Sequence, residues 1–99
     1  MYMTAPTSLF AALSDPTRLE ALRLLSDGEE HCVCKLMKTL NVPQSRMSRH
    51  MGILKTAGLV VGRRDAQWVH YRITPSLPHS IAKLLEVALA LPLSKESSV

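Results

Sequence analysis

The chain has 99 residues, a formal net charge of +4, and 46% apolar but only 4% aromatic residues. That length suits one compact domain, marginal on its own because a domain this small buries only about 60% of its unfolded surface. No apolar run reaches the roughly 18 residues of a membrane span, and no basic segment leads into an apolar one at the start. The expectation is therefore a cytoplasmic protein with both cysteines reduced.

The charge is unevenly spread. Residues 1–30 carry Asp15, Glu20, Asp27, Glu29 and Glu30 against Arg18 and Arg23, a net of −3. Residues 43–73 carry Arg46, Arg49, Lys55, Arg63, Arg64 and Arg72 against Asp65 alone, a net of +5. Positive charge focused in one segment is the footprint expected of a phosphate-binding surface.

In chain order, Leu9, Phe10 and Leu13 make a short helical stripe. Asp15-Pro16 reads as an N-cap followed by proline at the first helical position, and Leu19, Leu22 and Leu25 continue at helical spacing until Asp27-Gly28. Val33, Leu36, Met37 and Leu40 fall on one face of another short helix, broken by Asn41-Val42-Pro43. Met47, Met51 and Leu54 form the next stripe, ending at Gly58, a C′ glycine. Two short helices across a tight break predict a helix-turn-helix over about residues 32–57.

Leu59–Arg64 and Trp68–Ile73 are β-prone and joined by Asp65-Ala66-Gln67, which predicts a hairpin over about residues 59–73. A hairpin directly after a helix-turn-helix reads as a wing. A last helix is expected over about residues 76–91. Ile81, Leu84, Leu85 and Ala88 form one stripe, while Leu77, Val87, Leu89 and Leu91 lie elsewhere around it. A terminal helix apolar on more than one face needs a second surface, so a homodimer is expected, held by Leu9, Phe10, Leu13, Ile81, Leu84, Leu85 and Ala88. The predicted fold is mainly α with a β-hairpin wing, as a single domain over residues 1–99 in the order helix, helix, helix-turn-helix, wing, helix.

Double-stranded operator DNA is the expected partner. Gln44, Ser45, Arg46, Ser48 and Arg49 lie in the first half of the second helix of the helix-turn-helix, where a recognition helix meets base edges and phosphates. Arg63, Arg64 and Gln67 at the hairpin tip are placed to reach phosphate or the minor groove. The bland alternative is a solvated helix face and a charged tip that keeps an edge soluble. No nucleophile, base and orienting group occur together and no phosphate loop is present, so an enzyme is not expected.

Four segments in this order, LSDPTRLEALRLL (Leu13–Leu25), CVCKL (Cys32–Leu36), SRMSRHMGILKTAGLV (Ser45–Val60) and QWVHYRI (Gln67–Ile73), resemble the ArsR/SmtB family of metal-responsive repressors. The resemblance covers roughly residues 8–91 and implies a winged helix-turn-helix repressor. The Cys32-Val33-Cys34 segment is similar to the arsenic-sensing subgroup. It implies that trivalent arsenic or antimony binds the Cys32 and Cys34 thiolates and releases the repressor from DNA. The best-known members have a third cysteine where this chain has Met37, which leaves open whether the inducer is inorganic or methylated.

Thiolates are soft ligands suited to such capture. Residues i and i+2 point about 200° apart in a regular helix. Capture by both sulfurs therefore calls for a helix start that is extended or that unwinds, and unwinding would move the helix-turn-helix. The competing readings are a structural, buried cysteine pair, a thiol redox or persulfide switch of the same fold, and a winged helix serving protein interaction without sensing. His31 reads as a solvated loop residue before a weak third ligand, and Met37 as core. His79 and Glu86 lack the full acid and histidine pattern of a zinc site on the last helix. His50 and His70 have no ligand partner at recognisable spacing.

Overall fold

The computed structural model describes residues 5–92. Five helices and three strands follow in chain order: α1 (Pro6–Leu13), α2 (Pro16–Leu25), β1 (His31–Cys32), α3 (Val33–Leu40), α4 (Gln44–Thr56), β2 (Val60–Asp65), β3 (Trp68–Ile73) and α5 (His79–Leu89). No helix among the described residues is long and apolar enough to cross a membrane.

Local chemistry sets the boundaries. Asp15 caps α2, its carboxylate accepting the Arg18 N–H at 3.1 Å, with Pro16 in the first turn. The break between α3 and α4 turns on Asn41, held in the left-handed region at φ 57. The Val42 N–H donates to the Met37 carbonyl there and closes the helix end. Gly58, at φ 83, ends α4 as its position after the apolar stripe predicts. The last helix begins at His79, later than expected. Pro78 is its N-cap, and a proline disfavours helical backbone at the residue before it, here Leu77.

One core joins these elements. Leu9, Leu22, Leu25, Leu36, Met47, Met51, Leu54, Leu59 and Tyr71 are among its buried residues, with half-buried residues of α5 packed on the outside. Part of the apolar set expected at a dimer surface is covered by the protomer itself. Leu9, Leu13 and Leu85 are buried within one protomer (Leu85 is only 5% exposed), because α1 and α5 turn those side chains toward α2. Ile81, Leu84 and Ala88 are half-buried. Of that set only Phe10 is well exposed, at 55%, and on and just beyond α5 it is Val87 and Leu91 that face outward, at 57% and 61%.

The wing is more than a hairpin. Its sheet has three strands in the order β1-β3-β2, all antiparallel. A two-residue strand carries no periodicity, so β1 leaves no trace in the sequence. Its presence makes β3 the central strand at His70 and Tyr71, while Trp68 and Val69 are half-buried against the core. Gly62 lies opposite Tyr71, and a Cβ there would come within 3.1 Å of the tyrosine ring. Glycine lets that ring close over the strand.

Candidate nucleic-acid interface and cysteine site

The basic segment of the sequence becomes two adjacent surfaces. On α4, Met47, Met51 and Leu54 are buried, which leaves Gln44, Ser45, Arg46, Ser48 and Arg49 exposed on the opposite side. At the wing, Arg63, Arg64 and Gln67 are all exposed around the tip. Arg64 makes no side-chain ion pair among the described residues, but Arg63 does. Its Nη2 and Nε donate to the two oxygens of Glu30 at 2.8 and 2.9 Å. The guanidinium holds the Glu30 carboxyl below its ordinary range, and the carboxylate raises Arg63 in turn.

Behind the recognition face, Arg18 ties α4 to the N-terminal helices. Its Nε donates to the Ala12 carbonyl at 2.6 Å and its Nη1 lies 2.9 Å from Nδ1 of His50. A guanidinium only donates, so His50 accepts at Nδ1 and carries its proton on Nε2. Arg23 acts similarly at the other end, donating to the Leu89 and Leu91 carbonyls and capping α5. Neither role is visible in sequence, because each partner is remote along the chain.

The cysteines straddle the junction between β1 and α3. Cys32 is the N-cap, extended at φ −64 and ψ 142, and its sulfur accepts the Cys34 N–H at 3.2 Å. The two sulfurs are joined in a disulfide, with a Cα separation of 5.1 Å. The sulfurs are bridged here, where the sequence predicts free thiols. The helix start is already extended at Cys32, one of the two arrangements that capture by both sulfurs calls for, so the sulfurs converge without any unwinding of α3. Cys34 is exposed and opens onto a groove of about 390 Å³ lined by Met37, Lys38, Asn41, Val42 and Pro43. Met37 is half-buried and packs against the core, as expected.

His31 is not a solvated loop residue. It lies in β1 with an 11% exposed side chain, its Nε2 at 2.9 Å from Asp27 and its Nδ1 at 3.3 Å from Lys35. The Glu29 N–H, with His31 second, holds the Asp27 carboxyl below its ordinary range. Register also separates His31 from the sulfurs, since it pairs with Tyr71 while Cys32 pairs with His70. His70 in turn pairs with Arg63, so Cys32, His70 and Arg63 form one cross-strand row on one face of the sheet. His79 and Glu86 are exposed on α5. Among the described residues no cluster of three histidine, cysteine or acidic side chains is close enough to hold a metal ion.

Comparison with known proteins agrees with this architecture. Residues 15–61 match the sequence profile described as bacterial regulatory protein, arsR family. The chain is 42% identical over 87 residues to the arsenic resistance transcriptional regulator ArsR2 of Pseudomonas putida, covering 88% of this chain and 76% of that protein. It is 41% identical over 88 residues to the arsenical resistance operon repressor of Escherichia coli K12, covering 89% and 75%. The fold matches the homodimeric winged helix-turn-helix DNA-binding domain Mb0332 of Mycobacterium bovis, with a TM-score of 0.71 at 23% identity over 91% of this chain and 88% of that one. It also matches the AntR antimony-specific transcriptional repressor, with a TM-score of 0.67 at 26% identity over 83% and 71%. The chain belongs to the arsR family of bacterial regulatory proteins, winged helix-turn-helix transcriptional regulators that bind DNA and are not enzymes.

Proposed function

We propose that this protein is a metalloid-responsive transcriptional repressor. It binds operator DNA as a homodimer through the exposed face of α4 and through the wing. It is released when trivalent arsenic or antimony is bound by the thiolates of Cys32 and Cys34. The observation that carries this reading is the convergence of two sulfurs at the exposed N-terminus of the first helix of the helix-turn-helix. Two thiolates on one rigid junction suit a soft, trivalent centre that bonds two sulfurs at once. The metalloid-linked relatives and the antimony-specific structural neighbour point to the same ligand class. The exposed apolar residues Phe10, Val87 and Leu91 support self-association.

A second reading has its own support in the bonded sulfurs. A two-electron oxidant of the peroxide class would convert the dithiol to this disulfide with loss of two protons, and the bond itself would be the signal. One titration separates the two. Reduced protein is bound to a fluorescent duplex carrying the region upstream of its own coding sequence. Arsenite, antimonite and a methylated trivalent arsenical are then added, and hydrogen peroxide separately. Release by the metalloids at micromolar concentration in excess reductant is expected. Release by peroxide alone transfers the role to redox sensing.

A further inference from the structure

The converged cysteines remove the simplest route from sensor to DNA, since nothing in α3 has to unwind when they are bridged. A different connection is present. Glu30 lies two residues before Cys32, and β1 docks on the wing through the pairs His31 with Tyr71 and Cys32 with His70. From there the Glu30 carboxylate reaches Arg63 on the far strand, β2, with two hydrogen bonds of 2.8 and 2.9 Å. The pair spans the central strand, close to His70 and Arg72. The Arg72 Nε is buried with no partner among the described residues. A carboxylate that engages both arms of a guanidinium fork occupies the donors a DNA phosphate would use.

We propose that Glu30 is an internal competitor for Arg63 and that bridging Cys32 to Cys34 holds it in place. With the sulfurs bridged, by a metalloid or by a disulfide, β1 is fixed against β3 and Glu30 occupies Arg63. With the thiols free, the segment from Glu30 to Cys32 loosens, Arg63 turns to a phosphate, and the wing engages DNA. The bonded sulfurs and the closed ion pair occur together in this structure. This inference rests on the DNA-binding function proposed above and supplies the connection from its thiol site to the wing.

The test uses the full chain as wild type, Glu30→Gln, Arg63→Gln and the double variant, each on the upstream duplex and on an unrelated duplex over a salt series. With the sulfurs bridged, Glu30→Gln is expected to tighten binding about two- to fivefold over bridged wild type, the worth of an exposed ion pair. In that state it should steepen the log affinity against log salt slope by about 0.9, one added phosphate contact, whereas the reduced proteins should differ little. In the Arg63→Gln background the same change should do nothing. With arsenite, Glu30→Gln should keep a larger fraction of DNA bound than wild type. In DNA-free protein, the Arg63 Nε–H should exchange with solvent more slowly after arsenite is added to the reduced form. Unchanged affinity and slope in bridged Glu30→Gln, an equal effect without Arg63, or no change in Arg63 exchange would each overturn the proposal. Failure of the wild type to bind either duplex would instead overturn the DNA-binding function, and this inference with it.

Discussion

The Arg18 guanidinium on α2 and the His50 imidazole on α4 meet at 2.9 Å, and the same guanidinium holds the Ala12 carbonyl at the end of α1. One side chain therefore fixes the recognition helix against both N-terminal helices. The contact is partly buried, so its hydrogen bonds are not fully exchanged with water. Arg18→Ala should cost about 1.5–3 kcal/mol, lowering the thermal midpoint by about 10 °C for a domain of this size. Arg18→Lys keeps the charge but loses the fork and should fall between. Calorimetry of the three proteins checks this, and an alanine variant that melts with wild type would remove Arg18 as the tie.

Self-association should depend on the residues that face outward. Val87→Glu and Phe10→Glu should give folded monomers, visible as halved mass in light scattering with unchanged circular dichroism. Leu85→Glu should not give a folded monomer. It would bury an unpaired carboxylate in the protomer core, at a cost of about 3 kcal/mol or more. A wild type that is monomeric at micromolar concentration would rule out the dimer.

Acid and alkaline stability should differ in cause. Asp27 and Glu30 are both held below their ordinary range, by the Glu29 N–H and by Arg63 respectively. A depressed carboxylate adds stability that is complete above its unfolded value and disappears as pH falls through the folded one, so the loss should come below about pH 4. Both groups are exposed, and the effect should be small and sensitive to salt. Burial pushes the Tyr71 phenol up, so its contribution is present at neutral pH and disappears as pH rises beyond about 10. Thermal midpoints from pH 2 to 11 check both limbs. The acid limb should flatten in Glu30→Gln, and an unchanged acid limb there would count against the ion pair.

What could be read in advance divides along physical lines. The helices announce themselves because caps and apolar periodicity are local. Asp15-Pro16 starts α2, Asn41 and Pro43 frame the break, and Gly58 ends α4, each through its own backbone preference. The exposed face of α4 follows from the buried methionines on its other side. Neither Glu30 with Arg63 nor Arg18 with His50 could be found that way, since the fold alone brings these pairs together across more than 30 residues. Leu9, Leu13 and Leu85 belong to the protomer core for a related reason. Periodicity identifies the apolar stripe of α5 but not which of its faces the protomer itself covers.

Ala66 sits at the wing tip with φ 58, a conformation that disfavours any residue with a Cβ. Ala66→Gly should remove that strain and stabilise the protein by about 0.5–1 kcal/mol, an estimate reduced by the greater freedom of glycine in the unfolded chain. Chemical denaturation should show a higher midpoint with an unchanged slope. A lower midpoint would mean that the tip relaxes without strain.

The thiol site makes the sharpest claim. Inorganic arsenite has three exchangeable positions and a methylated trivalent arsenical has two. A site with Cys32 and Cys34, His31 turned to Asp27 and Lys35, and Met37 in place of a third thiol satisfies the methylated form completely. That form should therefore release DNA at least as well as arsenite. Either cysteine-to-serine change should abolish release while DNA binding survives. Cys32→Ser is the cleaner probe, because serine is a favoured N-cap and should keep the start of α3 intact. Met37→Cys puts a thiol three residues after Cys34, on the same side of α3 and lining the same groove, so preference should move toward arsenite. Anisotropy of the labelled duplex, titrated with each arsenical against the four proteins, reads all of this directly. If Cys32→Ser releases DNA at the wild-type arsenical concentration, the pair is part of the scaffold and the sensor lies elsewhere.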